Sequence, residues 1–153
     1  MRVILVIVFS FLSIGAFAQK KAKVSSRDTL RDVYKGVLPC ADCSGIETEL
    51  TLVHERYDGM GQYILKEHYI GKDSFVTKGT WSHHRGMHGN KNATVVELYN
   101  ETPDSDSRYF LQMKNGDLKM LDRELKGIES PWNYVLKKTP LRPLKGELSN
   151  SLD

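Results

Sequence analysis

From about residue 32 to residue 137, side chains alternate between apolar and polar at nearly every second position. That period constrains the fold more than any other property of the sequence. Successive side chains point to opposite faces of a strand, whereas a helix needs a repeat of about 3.6 residues. Ile46, Thr48, Leu50 and Leu52 alternate with Glu47, Glu49 and Thr51. Tyr63, Leu65, Glu67 and Tyr69 continue the pattern after a turn over 57–61, and the 71–74 break leads into a strand from Phe75 to Ser82. A Val-rich strand over 93–99 and a polar loop over 100–107 come next. Residues 108–113 and 118–121 then flank Asn115-Gly116-Asp117, a strong hairpin signal because Asn and Gly tolerate positive φ. With 32–37 at the front and 133–137 at the end, the pattern gives about eight short strands and no sustained helical stripe.

Short turns make consecutive strands neighbours, and closing the sheet removes its exposed edges. The expectation is an all-β fold, a small antiparallel up-and-down β-barrel of about eight strands, with a two-sheet sandwich as the alternative. Such a barrel is about wide enough to be filled by side chains or to hold one small ligand. Tyr63, Leu65, Tyr69, Trp81, Phe110 and Tyr134 would line a ligand cavity, and the same residues would equally fill a closed core.

The N-terminus sets the compartment. Met1-Arg2 is followed by an apolar run from Val3 to Leu12 interrupted only by Ser10, and Ala16-Phe17-Ala18 supplies a small-x-small cleavage pattern. Residues 1–18 read as a secretory signal peptide cleaved before Gln19. The run is too short to span a bilayer, so no transmembrane anchor is expected. The remaining organisation reads as a flexible segment over 19–30, one barrel domain over 31–138 and a flexible tail over 139–153. The expected location is periplasmic or secreted, an oxidising compartment. Although the whole chain has a net charge of +3, residues 29–136 carry 13 Lys and Arg against 16 Asp and Glu, so a nucleic-acid-binding surface is not supported.

The only two cysteines are Cys40 and Cys43, a CxxC pair fenced by Pro39 and Gly45 at the lip of a strand. Three uses are open: a short structural disulfide, a redox-active pair, or soft-metal capture by two thiolates. Asp42, between them, could add an oxygen ligand or cap the turn. A second candidate metal set is His83, His84, Met87 and His88, read as a loop whose imidazole and thioether groups suit copper. A polar turn can also carry histidines merely because they are soluble. His54 and His68 read as ordinary cross-strand partners. No Gly-x-Ser-x-Gly elbow, phosphate-binding glycine loop or His-Glu-x-x-His motif occurs, so the chain does not read as an enzyme.

The stretch Gly36-Val37-Leu38-Pro39-Cys40-Ala41-Asp42-Cys43-Ser44-Gly45-Ile46-Glu47-Thr48 resembles the signature of the NlpE N-terminal domain family of copper-resistance and envelope-stress lipoproteins. Gly79-Thr80-Trp81, Met120-Leu121-Asp122-Arg123-Glu124, Ile128-Glu129-Ser130 and Asn133-Tyr134 extend the resemblance over about residues 33–137. It implies a lipocalin-like barrel and a link to copper tolerance and envelope stress signalling. It also brings copper capture at Cys40 and Cys43 level with a plain disulfide. No cysteine precedes Cys40, so the expectation is a single-domain form without a lipidation cysteine. The partners these readings leave are a metal ion such as copper, a small apolar or lipid-derived ligand, or another envelope protein.

Overall fold

The computed structural model describes residues 29–55, 58–100 and 106–140. The expected signal peptide, residues 19–28 of the N-terminal segment and residues 141–153 of the tail lie outside the described residues. Eight antiparallel strands close into one barrel in the order in which they occur along the chain. They are β1 (Thr29–Leu38), β2 (Ile46–Glu55), β3 (Met60–Tyr69), β4 (Ser74–Met87), β5 (Asn90–Asn100), β6 (Arg108–Gln112), β7 (Leu118–Met120) and β8 (Val135–Thr139). β8 returns to β1, pairing Val33 with Thr139 and Lys35 with Lys137, so the sheet has no free edge. No helix among the described residues is long and apolar enough to cross a membrane.

The period-two pattern is realised as inward and outward faces. Tyr34, Leu50, Leu52, Tyr63, Leu65, Trp81, Val96, Leu98, Phe110, Leu118 and Leu136 point inward and join Leu38 in one core cluster. Fully burying such a side chain is worth roughly 1.5–3 kcal/mol, which makes this cluster the main source of stability. Of the six residues expected to line a cavity or a core, Trp81 and Phe110 are 3% and 1% exposed, and Tyr63 and Leu65 are equally buried. Tyr69 and Tyr134 are half-buried at the periphery. Outside this cluster, Ala93, Val95 and Leu121 are also buried. Val95 faces out while Val96 faces in, and the segment after β7 reaches the β4–β5 turn through a bond from the His88 N–H to the Leu125 carbonyl.

Two expectations about element ends are corrected. Thr29, Leu30 and Thr139 are paired strand residues, opposite Glu55, His54 and Val33, rather than parts of flexible ends. The His83–His88 stretch is not a loop. β4 runs on to Met87 and pairs with β5 almost to its tip, with a register shift between Arg85 and Met87. Gly86 lies at that irregularity with φ 101°, a conformation that costs glycine nothing, so the strand carries an extra residue without ending.

The turns divide into two ends. The cysteine turn, the 70–73 turn and the connection after β5 lie at one end, where the connection after β7 also begins before it reaches the β4–β5 turn. The β2–β3, β4–β5 and β6–β7 turns, with the outer ends of β1 and β8, lie at the other.

Candidate functional site

The cysteine turn links β1 to β2. Leu38 is buried at the end of β1, Ile46 packs against the core at the start of β2, and Pro39–Gly45 cross between them. Cys40 and Cys43 are joined by a disulfide with a Cα–Cα separation of 5.3 Å, within the ordinary range. Asp42 Oδ1 lies 3.4 Å from Cys40 Sγ, and the Gly45 carbonyl oxygen 3.2 Å from Cys43 Sγ. A disulfide sulfur carries no proton, so in this state these are close contacts rather than hydrogen bonds. The ligand atoms of Cys40, Asp42 and Cys43 all lie within 4.8 Å of one another, with both sulfurs half-buried and Asp42 exposed.

The turn is tied to its neighbour. The Ile70 N–H donates to the Gly45 carbonyl at 3.0 Å, and the Lys72 N–H closes the β3–β4 turn on the Tyr69 carbonyl at 2.7 Å. Lys72 then donates through Nζ to the Asp42 carboxylate. Its hydrogen bond, followed by its charge, holds the Asp42 carboxyl below the usual 3.8. This arrangement supports two chemical states. As a disulfide the turn offers a metal only Asp42; reduced, it offers two sulfur donors and one oxygen from four consecutive residues.

The second expected metal set does not converge. His83 shares the strand parity of Trp81 but is exposed near the outer end of β4, its ring edge-on to Trp81 with centroids 5.0 Å apart. His84 faces outward, with Nδ1 3.5 Å from Glu97 Oε2 and its ring edge-on to Tyr109. Met87 is half-buried opposite Asn90, and His88 is exposed at the turn. Alternation along β4 explains the divergence, because neighbours on a strand cannot share a face. Burial, then the neighbouring His54, pushes the His83 imidazole below its usual 6.5. His68 is a cross-strand partner, its Nδ1 2.9 Å from Ser74 Oγ.

Just inside the barrel at the cysteine end lies a polar pair that the sequence does not reveal. Glu67 is almost fully buried and accepts two hydrogen bonds from Arg108, at 2.7 and 3.2 Å. Burial opposes the guanidinium charge, and Glu67 more than offsets it, so the Arg108 pKa stands above its ordinary value. Alternation already aims Glu67 inward between Leu65 and Tyr69; what the sequence lacks is any sign of its partner 41 residues away. Beside the pair is a recess of about 520 Å³ whose lining is mixed, with Tyr63, Leu65 and Met120 on its apolar side and Asp106, Arg108 and Arg123 on its polar side.

At the opposite end, His54 lies against Trp81 and faces Asp32, a grouping also absent from the sequence reading. The signal available was parity alone: Asp32, His54, Trp81 and His83 all share the inward strand parity.

The sequence has relatives among known proteins. The NlpE N-terminal domain family matches residues 34–131, which contain the cysteine turn and six complete strands. The Escherichia coli (strain K12) protein named "Lipoprotein NlpE" is 36% identical over 108 residues, covering 68% of this chain and 39% of that protein. The chain thus spans well under half the length of the curated relative it matches. No solved structure matches it.

Proposed function

The chain belongs to the NlpE N-terminal domain family, and from that premise we propose that it is a non-enzymatic envelope protein that handles copper or reports envelope stress through a reversible Cys40–Cys43 pair. One observation carries the reading. Three ligand atoms of Cys40, Asp42 and Cys43 are gathered on a turn whose neighbours, rather than its own length, fix its shape. The proposed location is the periplasm or the cell exterior, where the disulfide is the resting state.

Two electrons and two protons from a dithiol donor convert the disulfide to two thiols. Binding of Cu(I) releases those protons and leaves two thiolates, the donor type that a monovalent soft ion prefers. Asp42 and Lys72 act as a hinge pin: with the disulfide open, their ion pair still holds the turn against the β3–β4 corner. Oxidation and metal loading are therefore mutually exclusive states of one turn.

The test is titration of Cu(I), buffered by a competing chelator, into oxidised and reduced protein. Reduced protein should take up one equivalent, while the oxidised protein and Cys40→Ser/Cys43→Ser take up none at that turn. Equal uptake by all three would sink the reading.

A small lipid-derived ligand with a polar head is a second reading, supported by the mixed lining of the mouth recess beside Arg108. The deep interior is filled by Trp81, Phe110 and Leu136, so such a ligand would sit at the mouth. Co-purified lipid retained in native mass spectrometry and lost in Leu65→Trp would support it.

A further inference from the structure

The end of the barrel opposite the cysteines carries a second group of donor atoms, and its hydrogen bonds are arranged in an informative way. The His54 ring nitrogen Nδ1 lies 2.9 Å from the Glu55 carbonyl oxygen. A carbonyl only accepts, so Nδ1 carries a proton, and whenever the ring is neutral the lone pair lies on Nε2. That lone pair faces Asp32 Oδ2 at 3.7 Å, beyond hydrogen-bond distance. The other oxygen of the same carboxylate, Oδ1, is held by Lys138 Nζ at 2.9 Å. Each of the two side chains is therefore anchored through one atom and turns its remaining donor toward the other. Metal-ligating histidines and carboxylates are oriented by outer bonds of this kind.

We propose that Asp32 Oδ2 and His54 Nε2 form the core of a binding site for a borderline divalent cation, Zn(II) or Cu(II), separate from the cysteine turn. With metal–ligand bonds of about 2.0–2.2 Å, a separation of 3.7 Å admits one ion between the two atoms at an angle of about 125°. Imidazole and carboxylate donors suit Zn(II) and Cu(II) rather than Cu(I). His83 supplies the third donor. It has the strand parity of Trp81 on β4 but is exposed at the barrel mouth, and its backbone N–H is fixed by the Gly59 carbonyl at 2.7 Å. Its ring does not lie within ligand distance of the other two in this structure, so joining them requires a side-chain rotation.

The surroundings favour this use. Trp81 walls one side, meeting His54 edge-on at 5.7 Å and His83 at 5.0 Å. Its indole N–H is already directed to the Val53 carbonyl at 3.3 Å. Gly61 stands in register between His54 and Trp81. A Cβ there would come within 1.9 Å of the Val53 oxygen and 3.1 Å of the indole nitrogen, so the space belongs to the contact between that carbonyl and the indole. The charged groups nearby are Asp32 on β1, Lys138 on β8 and Asp117 on the β6–β7 turn, whose Oδ1 accepts the Lys138 N–H at 2.8 Å.

The test uses the mature chain with its disulfide intact, so that no thiolate competes and the result is independent of the copper reading above. Zn(II) titrated by calorimetry should bind in one equivalent. Asp32→Asn and His54→Gln should each weaken it at least tenfold, His83→Gln less, and Cys40→Ser/Cys43→Ser not at all. In a Trp132→Phe background, Cu(II) should quench the emission of Trp81. If a variant fails to fold, the imidazole resonances of the wild-type protein decide: Zn(II) must shift those of His54 and His83 ahead of His68, His84 and His88. Absence of stoichiometric binding by the oxidised protein, or shifts confined to the three other histidines, would overturn the site. Binding seen only after reduction would also overturn it, while leaving the cysteine reading intact.

Discussion

The two ends of the barrel gather donor atoms by opposite means. At the cysteine end, Cys40, Asp42 and Cys43 are neighbours in sequence, carried on an exposed turn and pinned by Lys72. At the histidine end, Asp32 and His54 come from two strands and face one another by register, with His83 of a third strand on the other side of a Trp81 that is 3% exposed. A contiguous turn can change its covalent state without disturbing the barrel, because little of the core depends on it. A dispersed cluster cannot be altered so freely, since the positions that aim its side chains also pack the core. The proposed redox chemistry therefore suits the first end, and the proposed coordination the second.

Stability measurements can break this contrast. Trp81→Ala removes a large buried side chain and its contacts with two imidazoles, and should cost about 3–5 kcal/mol in urea unfolding. Cys40→Ser/Cys43→Ser opens a loop of four residues, and on the chain-entropy account should cost about 2 kcal/mol. If the cysteine double variant proves as destabilising as Trp81→Ala, the turn is part of the structural core, and its proposed reversibility fails.

The same contrast explains what could be read from the chain. The strands and their closure were legible because alternation is a local signal, repeated along eight segments. The cysteine turn was legible because its donors are adjacent. β4 was cut short because Gly86 and three histidines between Ser82 and Gly89 resemble a turn; in the structure Gly86 absorbs a register irregularity and the strand continues. The Glu67–Arg108 pair and the Asp32–His54 pair were illegible for one reason. Each joins residues far apart in sequence, and parity says which way a side chain points but not which inward residue it will meet. Register across the barrel decides that, and it is set jointly by all eight strands.

The smallest expected effect concerns the pin at the cysteine end. The Lys72 ammonium, through its hydrogen bond and then its charge, holds the Asp42 carboxyl below its ordinary 3.8. A carboxyl whose pKa is lower in the folded than in the unfolded chain contributes stability that is fully present above the unfolded value. That contribution is lost as pH falls through the folded value, when the carboxylate takes up its proton and the ion pair dissolves. Both groups are exposed, so the effect on global unfolding should be small, and salt should weaken it. The sensitive readout is local: in Lys72→Gln, the Asp42 carboxyl carbon should titrate upward toward its ordinary value. The backbone resonances of Cys40–Gly45 should broaden as the turn loses its tie to the β3–β4 corner, while His54 and Trp81 at the far end stay unchanged. If Asp42 titrates alike with and without Lys72, the turn is held by the Ile70–Gly45 hydrogen bond and the disulfide alone. The open, reduced form would then lack the restraint that keeps its two sulfurs together.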